Sequence, residues 1–145
     1  MNAARAVPAG LIATAVMTAL LLIEPSIGLP NIAIGQILST ALGLGPAFLG
    51  SGAAIGWILH FTFGVVFALA YAALFSPRLP GGPVGRGMAY GVLLFILAQL
   101  VFMPVVGGGL FSHGDVEMLA GSLLGHLVYG AVLGWIYSLG TPTPA

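Results

Sequence analysis

Four stretches of this chain are apolar almost without interruption: residues 4–23, 52–75, 87–106 and 117–139. Each is long enough to cross the hydrocarbon layer of a bilayer, which takes about 20 residues as a helix. No stretch alternates apolar and polar residues with a period of two, so strands of an outer-membrane barrel are excluded. The pattern predicts an all-α membrane fold of four transmembrane helices in a single domain over residues 1–145. A fifth segment, "NIAIGQILSTALGLG", sets Ile34, Ile37, Leu38 and Leu42 against Gln36, Ser39 and Thr40. Its length predicts a short interfacial helix over about 31–44 that does not cross the bilayer, with Asn31 as its N-cap. The connector "SPRLPGGPVGR" is punctuated by proline and glycine and reads as a turn, and the tail "TPTPA" is too short to form a domain.

Composition fixes the solvent. Of 145 residues, 59% are hydrophobic and 4% charged, far too few charges to cover a water-soluble domain. The first apolar run ends in Glu24-Pro25-Ser26 without a small-x-small cleavage pattern, which predicts a retained helix and not a secretory signal. Arg5 precedes the first span, and Arg78 and Arg86 lie between the second and third. The positive-inside rule puts that side, and with it both termini, in the cytoplasm. Glu24, His113, Asp115 and Glu117 then face outward. There is no cysteine, so disulfides, thiol catalysis and thiolate metal sites are excluded. Zero net charge without a basic run leaves nucleic-acid binding no electrostatic footing.

A repeat runs through the apolar pattern. "HFTFGVVFALAY" from His60 and "HLVYGAVLGWIY" from His126 share H-x3-G-x6-Y, so His60, Gly64 and Tyr71 match His126, Gly130 and Tyr137. In the same way Arg5, Gly10, Thr18, Gly28 and Leu29 match Arg86, Gly91, Gln99, Gly109 and Leu110. Two tandem helical hairpins follow, related by a pseudo-twofold axis along the membrane normal. The repeat further implies that His60→Ala and His126→Ala should produce similar defects.

At steps of four, the second span reads Gly52, Gly56, His60, Gly64, Ala68, Ala72, and the fourth reads Ser122, His126, Gly130, Gly134, Ser138. Such small-xxx-small ridges let membrane helices approach closely, so both imidazoles should face protein. Counting about 1.5 Å per residue, Thr18, His60, Gln99 and His126 fall at one level, about 10–14 Å below the outer surface. Polar groups in hydrocarbon are costly unless paired. The simplest expectation is that the two ridges touch and that the histidines bond across them with Thr18, Gln99 or Tyr129.

Two other chemistries fit the residue types. His60 and His126, at matching levels, are candidate axial ligands of a haem b, with Gly64 and Gly130 clearing room for the porphyrin. Glu24, His113, Asp115 and Glu117 are a candidate outward-facing metal set for copper or zinc, although Asp115 also suits a helix N-cap. Met17, Met103 and Met118 read as core packing rather than a thioether site. Pro25 and Pro104 should kink or end their spans. No phosphate loop, nucleophile elbow, zinc-protease motif or intramembrane pair of acids is present, so no catalytic activity of its own is expected.

The four short spans, the H-x3-G-x6-Y ends and "FMPVVGGGLF" resemble a group of small uncharacterised bacterial four-span integral membrane proteins. That resemblance implies the bacterial inner membrane and carries no activity. Glycine-rich helices with short loops fit a small subunit packed among lipid and other membrane subunits, in a respiratory or other redox assembly. The competing readings are a bis-histidine haem b electron-transfer protein, and a homo-oligomeric transporter or channel with the polar cluster as its permeation site.

Overall fold

The computed structural model describes residues 2–41, 43 and 52–139. Among them there is no strand, and four helices are long and apolar enough to cross a membrane: Ala3–Ile27, Ala54–Phe75, Pro83–Val105 and Val116–Ser138. This is a multi-pass membrane protein. Large side chains such as Leu22, Ile58, Val66, Leu100 and Trp135 are exposed on the outside of the bundle, where acyl chains replace water as the solvent.

Helix α1 covers Ala3–Ile23, started by the Asn2 side chain, which accepts from the Arg5 amide at 3.2 Å. Pro25 follows in a 3-10 turn, Glu24–Ile27, which ends at Gly28 in the left-handed region. Helix α2 covers Ile34–Ala41. It is shorter than the expected 31–44, and Leu42 and the tail lie outside the described residues. Asn31 is not its cap, because the amides of Gln36 and Ile37 bond to the Ala33 carbonyl. Helix α3 covers Gly52–Ala70 and runs into a π-helical turn, Tyr71–Phe75. Helix α4 covers Pro83–Leu97, with proline in its first turn, where its missing N–H costs nothing. A second π-turn, Ala98–Phe102, comes directly before the short α5, Met103–Val105. Pro104 has no N–H to return to the preceding turn, so the irregular backbone sits where the regular ladder would fail anyway. Helix α6 covers Val116–Ser138, and Asp115 caps it by accepting from the Met118 amide at 3.0 Å.

In packing order the long helices run α3, α1, α6, α4, with α2 laid on α3. Lipid tails supply no hydrophobic drive between helices, so contact must come from van der Waals packing at short range. Glycine provides the range. A Cβ on Gly87 would strike the Gly130 carbonyl, one on Gly130 the Gly87 carbonyl, and one on Gly91 the His126 carbonyl. Gly64 lies under the Thr14 side chain of α1, and Gly56 on the backbone of Gly35 in α2.

These contacts correct one expectation. The two small-residue ridges do not meet each other: that of α3 packs on α1 and α2, and that of α6 packs on α4. The physical reason is that each ridge finds a facing backbone nearer to hand. Tyr129 reaches from α6 to α3, donating to the Gly64 carbonyl at 2.6 Å.

At the arginine-bearing end, Tyr71, Tyr90, Phe75 and Tyr137 form an aromatic cluster with ring centroids 4.7–5.9 Å apart. There Tyr90 ties α4 to α3 by donating to the Phe67 carbonyl at 2.9 Å. Further from that end α3 and α4 separate, and this separation shapes the site described below.

Gly87→Ala is expected to destabilise the protein by about 1–3 kcal/mol through overpacking of α4 on α6. Gly85→Ala, which has no neighbour within 4 Å, should be neutral or stabilising by up to about 1 kcal/mol. Thermal unfolding of the two variants in one detergent compares them directly.

Candidate functional site

Where α3 and α4 part, a cavity of about 140 Å³ opens in the bundle, walled mainly by Met17, Ile34, Leu38, Phe63, Leu97 and Phe102 and bearing a few polar groups, His60, Gln99, Ser122, His126 and Tyr129. Each polar group is placed by its own local structure. Gln99 sits in the π-turn Ala98–Phe102 and is 1% exposed. Its amide nitrogen donates to Ser122 Oγ at 3.1 Å, and its carbonyl accepts from Ser112 Oγ at 2.8 Å.

Ser112 gets there at some cost. Phe111, Ser112 and His113 all adopt left-handed backbone, with φ of 46°, 51° and 54°. For residues other than glycine this costs roughly 1–2 kcal/mol each. The buried bond to Gln99 is what that turn delivers.

The histidines have unlike partners. His60, 8% exposed, places Nε2 at 3.2 Å from Thr18 Oγ1, a bond between α3 and α1. His126 places Nδ1 at 2.7 Å from the Ser122 carbonyl of its own helix, and its ring lies edge-on to Phe95 at 6.2 Å. Both rings line the same cavity, and no bond joins them to each other. His60, Gln99, His126 and Tyr129 line one space; Gln99 and His126 share Ser122 as a partner, while His60 and Tyr129 are bonded separately. Thr18 itself stands behind His60 and does not line the cavity.

The residues do not fit a haem between His60 and His126. A space of about 140 Å³ is below the roughly 300–1,000 Å³ of pockets that enclose drug-sized ligands. Gly130 is pressed on α4 and Gly64 on Thr14, so neither glycine clears room for a macrocycle. His60 Nε2 is also turned to Thr18.

The outward metal set is dispersed as well. No group of three or more His, Asp or Glu side chains among the described residues could hold a metal ion. Asp115 caps α6, Glu117 is exposed, and the His113 ring folds over Gly109. Glu24 lies elsewhere and is sealed: it is 0% exposed, its carboxyl rests against Gly121, and neither oxygen has a hydrogen-bond partner. Met17, Met103 and Met118 line the cavity wall, in keeping with packing.

Sequence reasoning missed Ser112 and the burial of Glu24. A serine in a glycine-rich loop and an acid at a helix end both read as solvated, and no local signal marks either. Ser122 was visible as the first member of the α6 ridge, but not as the partner of Gln99.

The chain belongs to DUF6789, a family of unknown function. The match to this family covers residues 1–145. No curated protein and no solved structure matches the chain.

Because the His60 bond crosses helices and the His126 bond does not, the two positions should not be equivalent, despite the repeat. His60→Ala is expected to cost about 1 kcal/mol more than His126→Ala, read as the difference in thermal or denaturant unfolding in one detergent. Glu24→Leu should leave stability unchanged or raised, against the loss of about 1–3 kcal/mol that breaking a paired buried group would bring. The same unfolding measurement checks it.

Proposed function

We propose that this protein binds a small lipid-soluble molecule within the membrane, in the cavity on the α3–α4 side. The observation that carries this reading is the lining: apolar walls from α2, α3 and α4 with a few convergent polar groups at Gln99, Ser122, His60 and His126, the usual character of a small-molecule site. A dry cavity of about 150 Å³ is enough to take up benzene. The 140 Å³ here therefore suits one ring or head group, with any tail leaving between α3 and α4 into the lipid. A bis-histidine iron is not part of this reading.

We read the chain as two tandem hairpins, and that arrangement agrees with the cavity reading. Gly10 against Gly64 and Gly91 against Gly130 are equivalent contacts under the repeat, and they hold α1 on α3 and α4 on α6. The pseudo-twofold is broken between the hairpins. Helices α1 and α6 pack closely while α3 and α4 do not, and the broken symmetry creates the site. Helix α2, lying at the bilayer interface, closes its end with Ile34, Ile37 and Leu38.

We place Arg5, Arg78 and Arg86 on the cytoplasmic side of a bacterial inner membrane, with the cavity nearer the opposite face. The short loops leave little room for aqueous chemistry, which supports a small subunit that presents its guest to a larger membrane assembly.

Photolabelling tests the reading. With the protein in nanodiscs, a long-chain alcohol bearing a diazirine should label Phe63, Leu97 and Phe102. Ala98→Phe, which fills the cavity, should reduce that labelling by about tenfold, as loss of about 1.4 kcal/mol of binding would. Ile58→Phe, on the lipid-facing side of α3, should leave it unchanged. Label spread evenly over the exposed apolar residues and indifferent to Ala98→Phe would refute the site.

A further inference from the structure

The hydrogen-bond accounting around the two imidazoles decides what kind of guest the cavity accepts. The Ser122 carbonyl can only accept, so the neutral His126 ring must carry its proton on Nδ1 to make the 2.7 Å bond. Nε2 of His126 is then a bare lone pair. It makes no hydrogen bond within the protein and is not among the sealed atoms that lack partners, and His126 lines the cavity.

Thr18 Oγ1 donates its only proton to the Thr14 carbonyl at 2.8 Å, which leaves that oxygen to accept from His60. The 3.2 Å contact is therefore Nε2–H of His60 donating to Thr18, and Nδ1 of His60 is the second bare lone pair, likewise outside the sealed set. The other polar groups are engaged in part: Gln99 keeps a second amide N–H and Ser122 its hydroxyl proton, both donors on the cavity lining. The Tyr129 hydroxyl donates to the Gly64 carbonyl, and the Gln99 amide donates to Ser122 and accepts from Ser112.

We infer that the cavity is a site for an apolar molecule carrying a free hydroxyl, whose O–H donates to an imidazole nitrogen of His126 or His60. This rests on the reading of the cavity as a guest site and narrows it to hydrogen-bond donors. Ketones, esters and ethers can accept from Ser122 or Gln99 but leave the imidazole lone pairs without a donor, whereas a hydroxyl accepts from the one and donates to the other. Both aliphatic alcohols, as in glycerolipids or isoprenoid alcohols, and phenolic hydroxyls carry the required donor.

Competition against the diazirine alcohol in nanodiscs tests this, using an unlabelled long-chain aliphatic alcohol, a long-chain alkylphenol and the methyl ether of each. Each hydroxyl compound should compete about tenfold better than its own ether, the effect of one buried hydrogen bond of about 1.4 kcal/mol, and the better of the two identifies an aliphatic or an aromatic source. Nitrogen NMR of histidine-labelled protein should show His126 protonated at Nδ1, with the Nε2 resonance moving on addition of the alcohol and not of the ether. Ethers that compete as well as the hydroxyl compounds, or a His126 protonated at Nε2, would overturn the donor inference while leaving the cavity a guest site. If no compound competes and Ala98→Phe leaves the label unchanged, the guest site itself falls.

Discussion

Helices in a bilayer gain nothing from leaving lipid for one another unless their backbones come close, and in this bundle closeness depends on glycine. The α4–α6 contact is the clearest case. Gly87, Gly91, Gly130 and Gly134 lie backbone to backbone with no room for a single added carbon, and α1 on α3 repeats the device with Gly10 and Gly64. Dispersion forces fall steeply with distance, so helices that touch through glycine hold together where helices separated by large side chains do not. The gap between α3 and α4 has the same cause in reverse. Phe63 and Phe102 face each other there in an edge-on pair 5.6 Å apart, and bulky rings prop open what small residues would have closed.

A second constraint, that polar groups in hydrocarbon must be paired, settles the rest of the interior. Thr18 serves His60, Ser122 serves both Gln99 and His126, and Ser112 is held in a left-handed turn to serve Gln99. Among the described residues the exceptions are both oxygens of Glu24 and Nε of Arg86. In the proposed tautomers one nitrogen on each imidazole stays without a donor, and these are the atoms from which a guest hydroxyl would be recognised.

Much of this was legible in the sequence, because the signals were long. Four runs of about twenty apolar residues leave little freedom, and the small-residue ridges announced that helix contact would be close. The level of Thr18, His60, Gln99 and His126 could be counted along the helices; the cavity is lined by His60, Gln99, His126 and Tyr129 and not by Thr18. The partners could not be counted. Which ridge meets which depends on the order of helices around the bundle, and a one-dimensional repeat is silent on that order. The tautomers of the histidines depend on Ser122 and Thr14, whose roles appear only once the bonds are drawn. Ser112 could not be read at all, since three consecutive left-handed residues without glycine are the reverse of what local propensity favours.

The packing order also bears on assembly. Helix α1 emerges ahead of α3 and α6 during synthesis, yet it lies between them, and the Asn2 amide at its start bonds to the Tyr137 hydroxyl near the end of α6 at 3.2 Å. Until α6 arrives, the face of α1 that carries Met17, Leu21 and Glu24 has only lipid or the insertion machinery for company. The bundle is thus closed by α6, and a chain not yet joined by α6 would leave the Glu24 carboxyl without the Gly121 surface that covers it.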